Sequence, residues 1–271
     1  MKVALCFSGK LGDWESSRDS IVNNLIRDLN PDIFFSTWSD EDYQSFYSYY
    51  KPKSWTSLDP CTPGLLDIDP SIQVKPSPGL IPMLANMRSA HQVMTQYESL
   101  KKLKYDIIIR LRPDIQVLER IKKHEIQDCI RSRCIRLPFF ESSNIYNHEQ
   151  EMRKIFSFSF IYDKASLPNQ INDQFAIGHS REMEKYMLSI NGVSEALTFM
   201  QNEGYPEYMS QVPESVLTVH LNRKNCKYKQ LTGTNSFGNI KTILCKGGKK
   251  WKNQGHNSTI YNENPDSING L

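Results

Sequence analysis

The chain has 271 residues, of which 39% are hydrophobic, so it is long enough for one large α/β domain or two small ones with a sizeable core. Its net charge is only +3, whereas a dedicated nucleic-acid-binding protein carries a large and clustered basic excess, so we expect no nucleic-acid partner. No run of about 18 apolar residues occurs, which argues against a transmembrane helix or another integral membrane segment.

Cysteine usage favours a reducing compartment. The six cysteines include no Cys-x-x-Cys pair and show no regular spacing, which is typical of thiols rather than of a disulfide framework. The apolar stretch Met1–Phe7 is also too short for a secretory signal. We therefore expect a cytoplasmic protein.

The first elements of the chain form a strand–helix–strand unit. Val3–Phe7 is a continuous apolar run, typical of a buried strand, and it opens into a loop at Ser8-Gly9. Apolar residues from Ile21 to Leu29 then recur on one helical face, which Asn30-Pro31 ends. Because Ile33–Phe35 is a second strand, the order predicts two parallel strands joined by a crossover helix.

The remainder of the chain alternates helices and strands up to a polar tail. The strongest strand signal is Tyr105–Val117, which is built on three consecutive isoleucines. We expect connecting segments at 40–80 and 138–170, helices at about 82–100, 119–129, 180–190, 193–203 and 213–222, and strands at 134–137, 173–177 and 226–231. Few apolar residues follow Cys245, so we predict one domain over residues 1–245 and a polar, mobile tail over residues 246–271.

The first candidate site is Arg110-Leu111-Arg112-Pro113-Asp114, at the end of the strongest strand. Because side chains alternate along a strand, Arg110, Arg112 and Asp114 are expected on one face, at the carboxyl end where α/β sheets bind ligands. Guanidinium groups bind a diphosphate, and a carboxylate binds a hard cation. The spacing leaves open the alternative of a structural ion pair between Asp114 and a neighbouring arginine.

The loop Ser8-Gly9-Lys10 after the first strand is a second candidate. Glycine lets backbone N–H groups approach a phosphate or a base, and Lys10 adds positive charge. The spacing matches neither the P-loop nor the dinucleotide-binding fingerprint. A plain tight turn is the more common explanation of a strand that is followed by Ser-Gly.

Two further candidates lie in the second half of the chain. Asp173 opens a buried segment and is a candidate general base for an attacking hydroxyl, although spacing alone favours a cap or turn aspartate. His220 is a candidate metal ligand, but a lone histidine on a helix is more often a core or surface residue. Its separation of six residues from Glu214 is not a metal-ligand spacing.

Taken together, these segments resemble a family of GT-A-like glycosyltransferases found in bacterial polysaccharide loci and in large DNA viruses. The resemblance covers roughly residues 1–235 and rests on Ser8-Gly9, Asp32–Trp38, Tyr105-Asp106 leading into Arg110–Asp114, Asn172–Gly178 with Met183 and Tyr186, and Glu214 to Leu221. It implies a GT-A fold, with a mostly parallel central sheet flanked by helices. It also implies a nucleotide-sugar donor, usually a UDP-sugar, a glycan acceptor, and Mn²⁺ or Mg²⁺.

The resemblance further implies a metal site. Asp114 stands where the family commonly has an Asp-x-Asp metal motif, with Arg112 in place of the first aspartate. His220 is similar to the late histidine that completes the metal site in some relatives.

The roles of the remaining site residues also follow from the resemblance. Arg110 and Arg112 are expected to neutralise the departing diphosphate while Asp173 deprotonates the acceptor hydroxyl in an inverting displacement. A retaining reaction is the alternative, because the position of the base cannot be read from the sequence. The other expected donor contacts are Ser8, Gly9, Lys10 and Arg88, with Asn86 beside Arg88. For Arg88 and Asn86, a solvated helix face is the alternative.

Two rival functions are compatible with the same residues. One is a nucleotide-sugar-binding or glycan-binding domain without turnover. The other is a phosphohydrolase or nucleotidyltransferase that uses the arginine pair and Asp114 on another phosphate ester. The first would bind UDP without releasing it from UDP-sugars, and the second would release phosphate or pyrophosphate without transferring a sugar.

Overall fold

A sheet of seven strands runs through the part of the chain that the structure, a computed structural model, describes: residues 1–60, 71–73, 76–117, 119–138, 173–205, 207–231 and 244–246. Its strands are β1 (Val3–Ser8), β2 (Asp32–Trp38), β3 (Ser54–Leu58), β4 (Ile107–Leu111), β6 (Ile135–Leu137), β7 (Phe175–His179) and β8 (Tyr228–Gln230). Two short strands, β5 (Ile115–Val117) and β9 (Leu244–Lys246), form a separate antiparallel pair.

Helices pack on both faces of this sheet. They are α1 (Trp14–Ile21, continued by a π turn at Val22–Ile26 and a last turn at Arg27–Leu29), α2 (Gln44–Tyr50), α3 (Leu80–Lys101), α4 (Lys123–Ser132), α5 (Ser180–Met187), α6 (Val193–Asn202), α7 (Glu207–Ser210) and α8 (Pro213–Arg223), with a 3₁₀ turn at Ser189–Gly192. Residues in special backbone conformations mark the ends of several of these helices. Asn30 and Lys102 close α1 and α3 in the left-handed conformation, and Pro213 occupies the first turn of α8, where its missing N–H costs nothing.

The strand order is β3-β2-β1-β4-β7-β6-β8. β1, β2, β3 and β4 are mutually parallel, as are β6 and β8, whereas β7 runs antiparallel to both of its neighbours. The chain first builds outward from β1 to β3 and then returns to place β4 on the other side of β1. The mostly parallel α/β sheet and the parallel pairing of the first two strands confirm the fold predicted from the sequence.

Alternation along the strands divides the core into two layers. Ala4, Cys6 and Ile108 face the layer that contains α3, α5, α6 and α8. Their neighbours Val3, Leu5 and Ile109 face the other layer, which contains α1, α2 and α4. Because both faces are covered, these strands are apolar throughout.

The strand predicted over Tyr105–Val117 is wrong in extent. β4 ends at Leu111, and Arg112–Asp114 forms a turn in which the Ile115 N–H donates to the Arg112 carbonyl over 3.3 Å. Pro113 lacks the N–H that a ladder needs, so the chain leaves the sheet there and β5 pairs with β9 instead. Arg112 and Asp114 are therefore loop residues and not members of one strand face.

The structure also bears on the other segments predicted from the sequence. The segment 40–80, which was expected to form loops with short elements, contains the short helix α2 and the short strand β3, and β3 extends the sheet. The predicted connection at 138–170 and the tail at 246–271 lie almost entirely outside the described residues. The four cysteines whose side chains are described, Cys6, Cys129, Cys134 and Cys226, are buried free thiols. Among the described helices, none has the length and apolar character needed to cross a membrane.

Candidate functional site

The candidate site lies at the carboxyl edge of the parallel strands, between β1 and β4. The strand order reverses between these two strands, because the chain leaves β1 toward β2 on one side whereas β4 lies on the other, and α/β sheets bind ligands at such a switch point. Ser8 ends β1, and Arg110 is the penultimate residue of β4. The Arg110 Nε–H donates to Ser8 Oγ over 2.8 Å, so two predicted site residues meet at this switch point.

Arg110 is an unusual residue for a protein interior. Its side chain is fully buried, and its Nη1 has no hydrogen-bond partner among the described residues. Burial lowers the pKa of the guanidinium, while the carboxylates of Asp173 and Asp114 act in the opposite direction. A buried cation with an unused donor is costly by itself and is well suited to a ligand anion.

Arg112 and Asp114 form a bidentate ion pair beside Arg110. Arg112 donates from Nε to Asp114 Oδ1 over 3.1 Å and from Nη2 to Asp114 Oδ2 over 2.9 Å. The Asp114 side chain is only 8% exposed, compared with 28% for Arg112. The structural ion pair that the sequence left open is therefore present, and it fixes a partly exposed guanidinium at this edge of the sheet.

The antiparallel strand β7 carries Asp173 to the same edge. Phe175 pairs with Leu111, and the Arg112 N–H donates to the Gln174 carbonyl over 3.1 Å. Asp173, the residue before Gln174, is buried, and its backbone carbonyl accepts a hydrogen bond from the buried Tyr186 hydroxyl over 3.2 Å. The predicted general base and the predicted diphosphate ligands are thus brought together.

Glu214 is a site residue for which the sequence suggested no role. It is partly buried in the first turn of α8. Burial and the charge of Asp173 raise the pKa of Glu214 to about 7, with Arg112 acting in the opposite direction. A carboxyl group that titrates near neutrality is suited to proton transfer. Its only sequence signal is Pro-Glu at a helix start, which is also an ordinary feature of helix N-termini.

The loop after β1 has the backbone conformation that the glycine suggested. Gly9 has φ +117°, which favours glycine, and its N–H donates to the Ser36 carbonyl over 3.1 Å. Lys10 is exposed at the tip of this loop. The N–H of Gly9 is therefore occupied by β2, and Lys10 is exposed next to it.

The helix α3 contributes a buried polar contact. Asn86 is fully buried, and its Oδ1 accepts a hydrogen bond from Ser36 Oγ over 2.9 Å. The alternative of a solvated helix face is therefore wrong for Asn86. Arg88, two residues further along the same helix, is partly buried, and its Nε has no hydrogen-bond partner among the described residues.

His220 lies in another environment from Asp114. Its Nε2 is 3.3 Å from the Lys185 carbonyl, and its ring packs so closely on Gly192 that a side chain there would clash with it. Burial lowers the pKa of His220, and its charged neighbours are Lys224 and Glu195. The two predicted metal ligands are not brought together.

The described donor set does not fit a divalent cation. Within residues 1–60, 76–117, 119–138, 173–205 and 207–231, no three His, Cys, Asp or Glu side chains are grouped so that they could hold a metal ion. Both oxygens of Asp114 already accept from Arg112. The dependence on Mn²⁺ or Mg²⁺ stays a prediction, and no chemical step is derived from it.

Comparison with known proteins gives a likeness of fold. The chain is similar to mouse xyloside xylosyltransferase 1 in its apo form, with a TM-score of 0.51 over 96% of this chain and 92% of that one. Identity between the two is 12%, so the likeness shows a shared fold of the GT-A type. No family model matches the sequence. A search of curated proteins finds no match either.

Proposed function

We propose that this protein is a glycosyltransferase that moves a sugar from a nucleotide-diphosphate donor, a UDP-sugar, to a hydroxyl group of a glycan. The observation that carries the proposal is the buried guanidinium of Arg110 at the switch point of a GT-A-like sheet, where its Nη1 has no hydrogen-bond partner in the part of the chain that the structure describes. The partly exposed guanidinium of Arg112 lies beside it. Two fixed cations at this edge match the charge of a pyrophosphate.

In this proposal the chain's own groups divide the work of an inverting displacement. Arg110 and Arg112 stabilise the negative charge that develops on the departing diphosphate. Asp173 takes the proton of the acceptor hydroxyl as that oxygen attacks the anomeric carbon from the opposite side. The carboxyl group of Glu214 lies near that of Asp173. Because its pKa is raised to about 7, Glu214 is suited to exchange the proton of the acceptor hydroxyl with Asp173.

Transfer assays test the proposal. Purified protein is incubated with a panel of UDP- and GDP-sugars and simple glycosides, with Mn²⁺ or with EDTA, and release of the nucleotide and formation of the disaccharide are both measured. UDP-xylose with a xyloside is the first pair to try, because the protein of similar fold is a xyloside xylosyltransferase. We expect one UDP-sugar to give a product of inverted anomeric configuration, as determined by NMR.

The variant Asp173→Asn separates transfer from binding. It keeps the shape of the side chain and removes the base, so we expect turnover to fall at least about 100-fold while UDP still binds. The exposed Asp19→Asn serves as the matched control and should retain full turnover. Binding of UDP without transfer from any donor would instead favour a binding domain. Release of phosphate without sugar transfer would favour a phosphohydrolase, and either result contradicts the proposal.

A further inference from the structure

The turn that holds Asp114 is fixed from two directions. The Ser17 hydroxyl of α1 donates to the Pro113 carbonyl over 2.6 Å. The loop after β1 comes so close that an added side-chain carbon on Gly12 would lie 3.3 Å from the Asp114 Cβ and 3.6 Å from its Oδ2. Gly12 itself has φ +53°, which favours glycine at this contact. Asp114 therefore has little freedom to move.

Both carboxylate oxygens of this fixed side chain accept from one guanidinium. Nε and Nη2 of Arg112 bind Oδ1 and Oδ2 in the parallel fork geometry, which is the most specific pairing of these two groups. Arg112 is less buried than its partner, so without Asp114 its long side chain would sample many rotamers. The pair leaves Nη1 and the second proton of Nη2 as the donors that a ligand anion would meet.

We infer that Asp114 is a positioning residue that holds the guanidinium of Arg112 in place for the diphosphate, and not a ligand of a metal ion. The inference rests on the proposed function, since it concerns the same site. It also accounts for arginine at the position where an Asp-x-Asp motif would have its first carboxylate. A carboxylate whose two oxygens are engaged by a guanidinium is a poor ligand for a hard cation, because the cation would have to displace Arg112.

A double-mutant cycle in UDP binding tests the inference. The affinity for UDP is measured by titration calorimetry at 0.15 M salt, roughly the ionic strength at which charge effects beyond the nearest neighbours are screened. The proteins are wild type, Asp114→Asn, Arg112→Gln and the double variant, each in EDTA and in Mn²⁺. Circular dichroism and melting temperature verify that each protein is folded.

We expect Asp114→Asn to weaken UDP binding about tenfold, because a released Arg112 must be ordered again by the ligand. The same substitution should have no effect once Arg112 is glutamine, and the loss should be equal in EDTA and in Mn²⁺. Arg112→Lys, which keeps the charge but cannot form the fork, should lose as much affinity as Asp114→Asn. This variant leaves the Asp114 turn intact, so it remains informative if Asp114→Asn fails to fold.

The opposite outcomes are distinct. If Mn²⁺ strengthens UDP binding in the wild type and Asp114→Asn removes that gain even with Gln at position 112, Asp114 is a metal ligand and the inference fails while the proposed function stands. The inference also fails if Arg112→Lys binds UDP as tightly as the wild type. If the wild type binds no UDP in either buffer, the proposed function fails and takes the inference with it.

Discussion

At the scale of single residues, the site is distinguished by a charged group kept in an unfavourable position. A buried guanidinium loses its hydration, and Ser8 replaces only one of the lost hydrogen bonds of Arg110. Elsewhere in the described chain, buried charges are compensated by partners. Glu98, for example, accepts from the Tyr105 N–H over 2.9 Å and from Lys104 over 2.8 Å. The contrast supports the proposal that Arg110 binds a ligand.

Glu214 gives a prediction for stability as a function of pH. Its pKa is about 7 in the folded protein, compared with 4.5 for the ordinary group, so between these values the folded state keeps a proton that the unfolded chain releases. The free energy of unfolding therefore falls as the pH rises from about 4.5 to above 7. In Glu214→Gln this loss is absent, and chemical denaturation at pH 5 and pH 8 should give more similar stabilities than in the wild type.

Glu207→Gln is the matched control, because Glu207 is exposed in the first turn of the neighbouring helix α7. It should leave the pH dependence of the wild type unchanged. An equal fall in stability between pH 5 and pH 8 in wild type and Glu214→Gln would show that the carboxyl group of Glu214 is not held in the environment described above.

At the scale of elements, β7 determines where Asp173 lies, and a glycine sets how closely β7 approaches β6. A side-chain carbon added to Gly178 would lie 2.8 Å from both the Cys134 carbonyl oxygen and the Ile135 Cα. Both are backbone atoms, so the strands would have to separate. We expect Gly178→Ala to destabilise the protein by about 1–3 kcal/mol, measured by urea denaturation.

Gly79→Ala is the control for this effect. Gly79 precedes α3 with φ −85°, and no atom lies within 4 Å of the position of an added side-chain carbon. Because its αR backbone is one that alanine also adopts, its substitution should change stability by no more than about 1 kcal/mol and without the loss expected for Gly178→Ala. Similar losses in the two variants would contradict the close packing of β7 against β6.

The sequence predicted individual elements better than their ends and their partners. The apolar runs at β1, β2 and β4 identify buried strands, because covering both faces of a strand requires apolar residues throughout. Pro113 marks the end of the ladder in the sequence, but the alternation of side chains wrongly placed Arg112 and Asp114 on the strand face of Arg110. The π turn within α1 has no sequence signal of its own.

At the scale of the whole molecule, the site depends on contacts that no local pattern contains. Asp173 reaches Arg110 because β7 is inserted antiparallel beside β4, and Glu214 reaches Asp173 because α8 packs against the same layer. These pairs are separated by more than 40 residues in the chain, and only the assembled fold brings them together. Arg110, Arg112 and Asp173 could be given roles from the sequence because they lie next to recognisable strands, whereas Glu214 was named without a role because its neighbours are set by the packing of α8.

The most direct test of the central claim is the affinity of Arg110→Met for UDP. Methionine has a similar length and no charge, so its burial avoids the desolvation cost of the guanidinium. The Ser8 hydroxyl loses its hydrogen-bond partner, but this loss is smaller, so the melting temperature should be unchanged or higher. Arg136→Met is the control. Arg136 forms an ion pair with Asp128 at 2.7 Å, outside the candidate site, so its replacement should lower the stability without changing the affinity for UDP.

By titration calorimetry, we predict that UDP binds to the wild type and to Arg136→Met with similar affinity and that binding to a fully folded Arg110→Met is at least about tenfold weaker. Equal affinity of UDP for the wild type and for Arg110→Met would contradict the claim that the buried guanidinium between β1 and β4 binds the diphosphate.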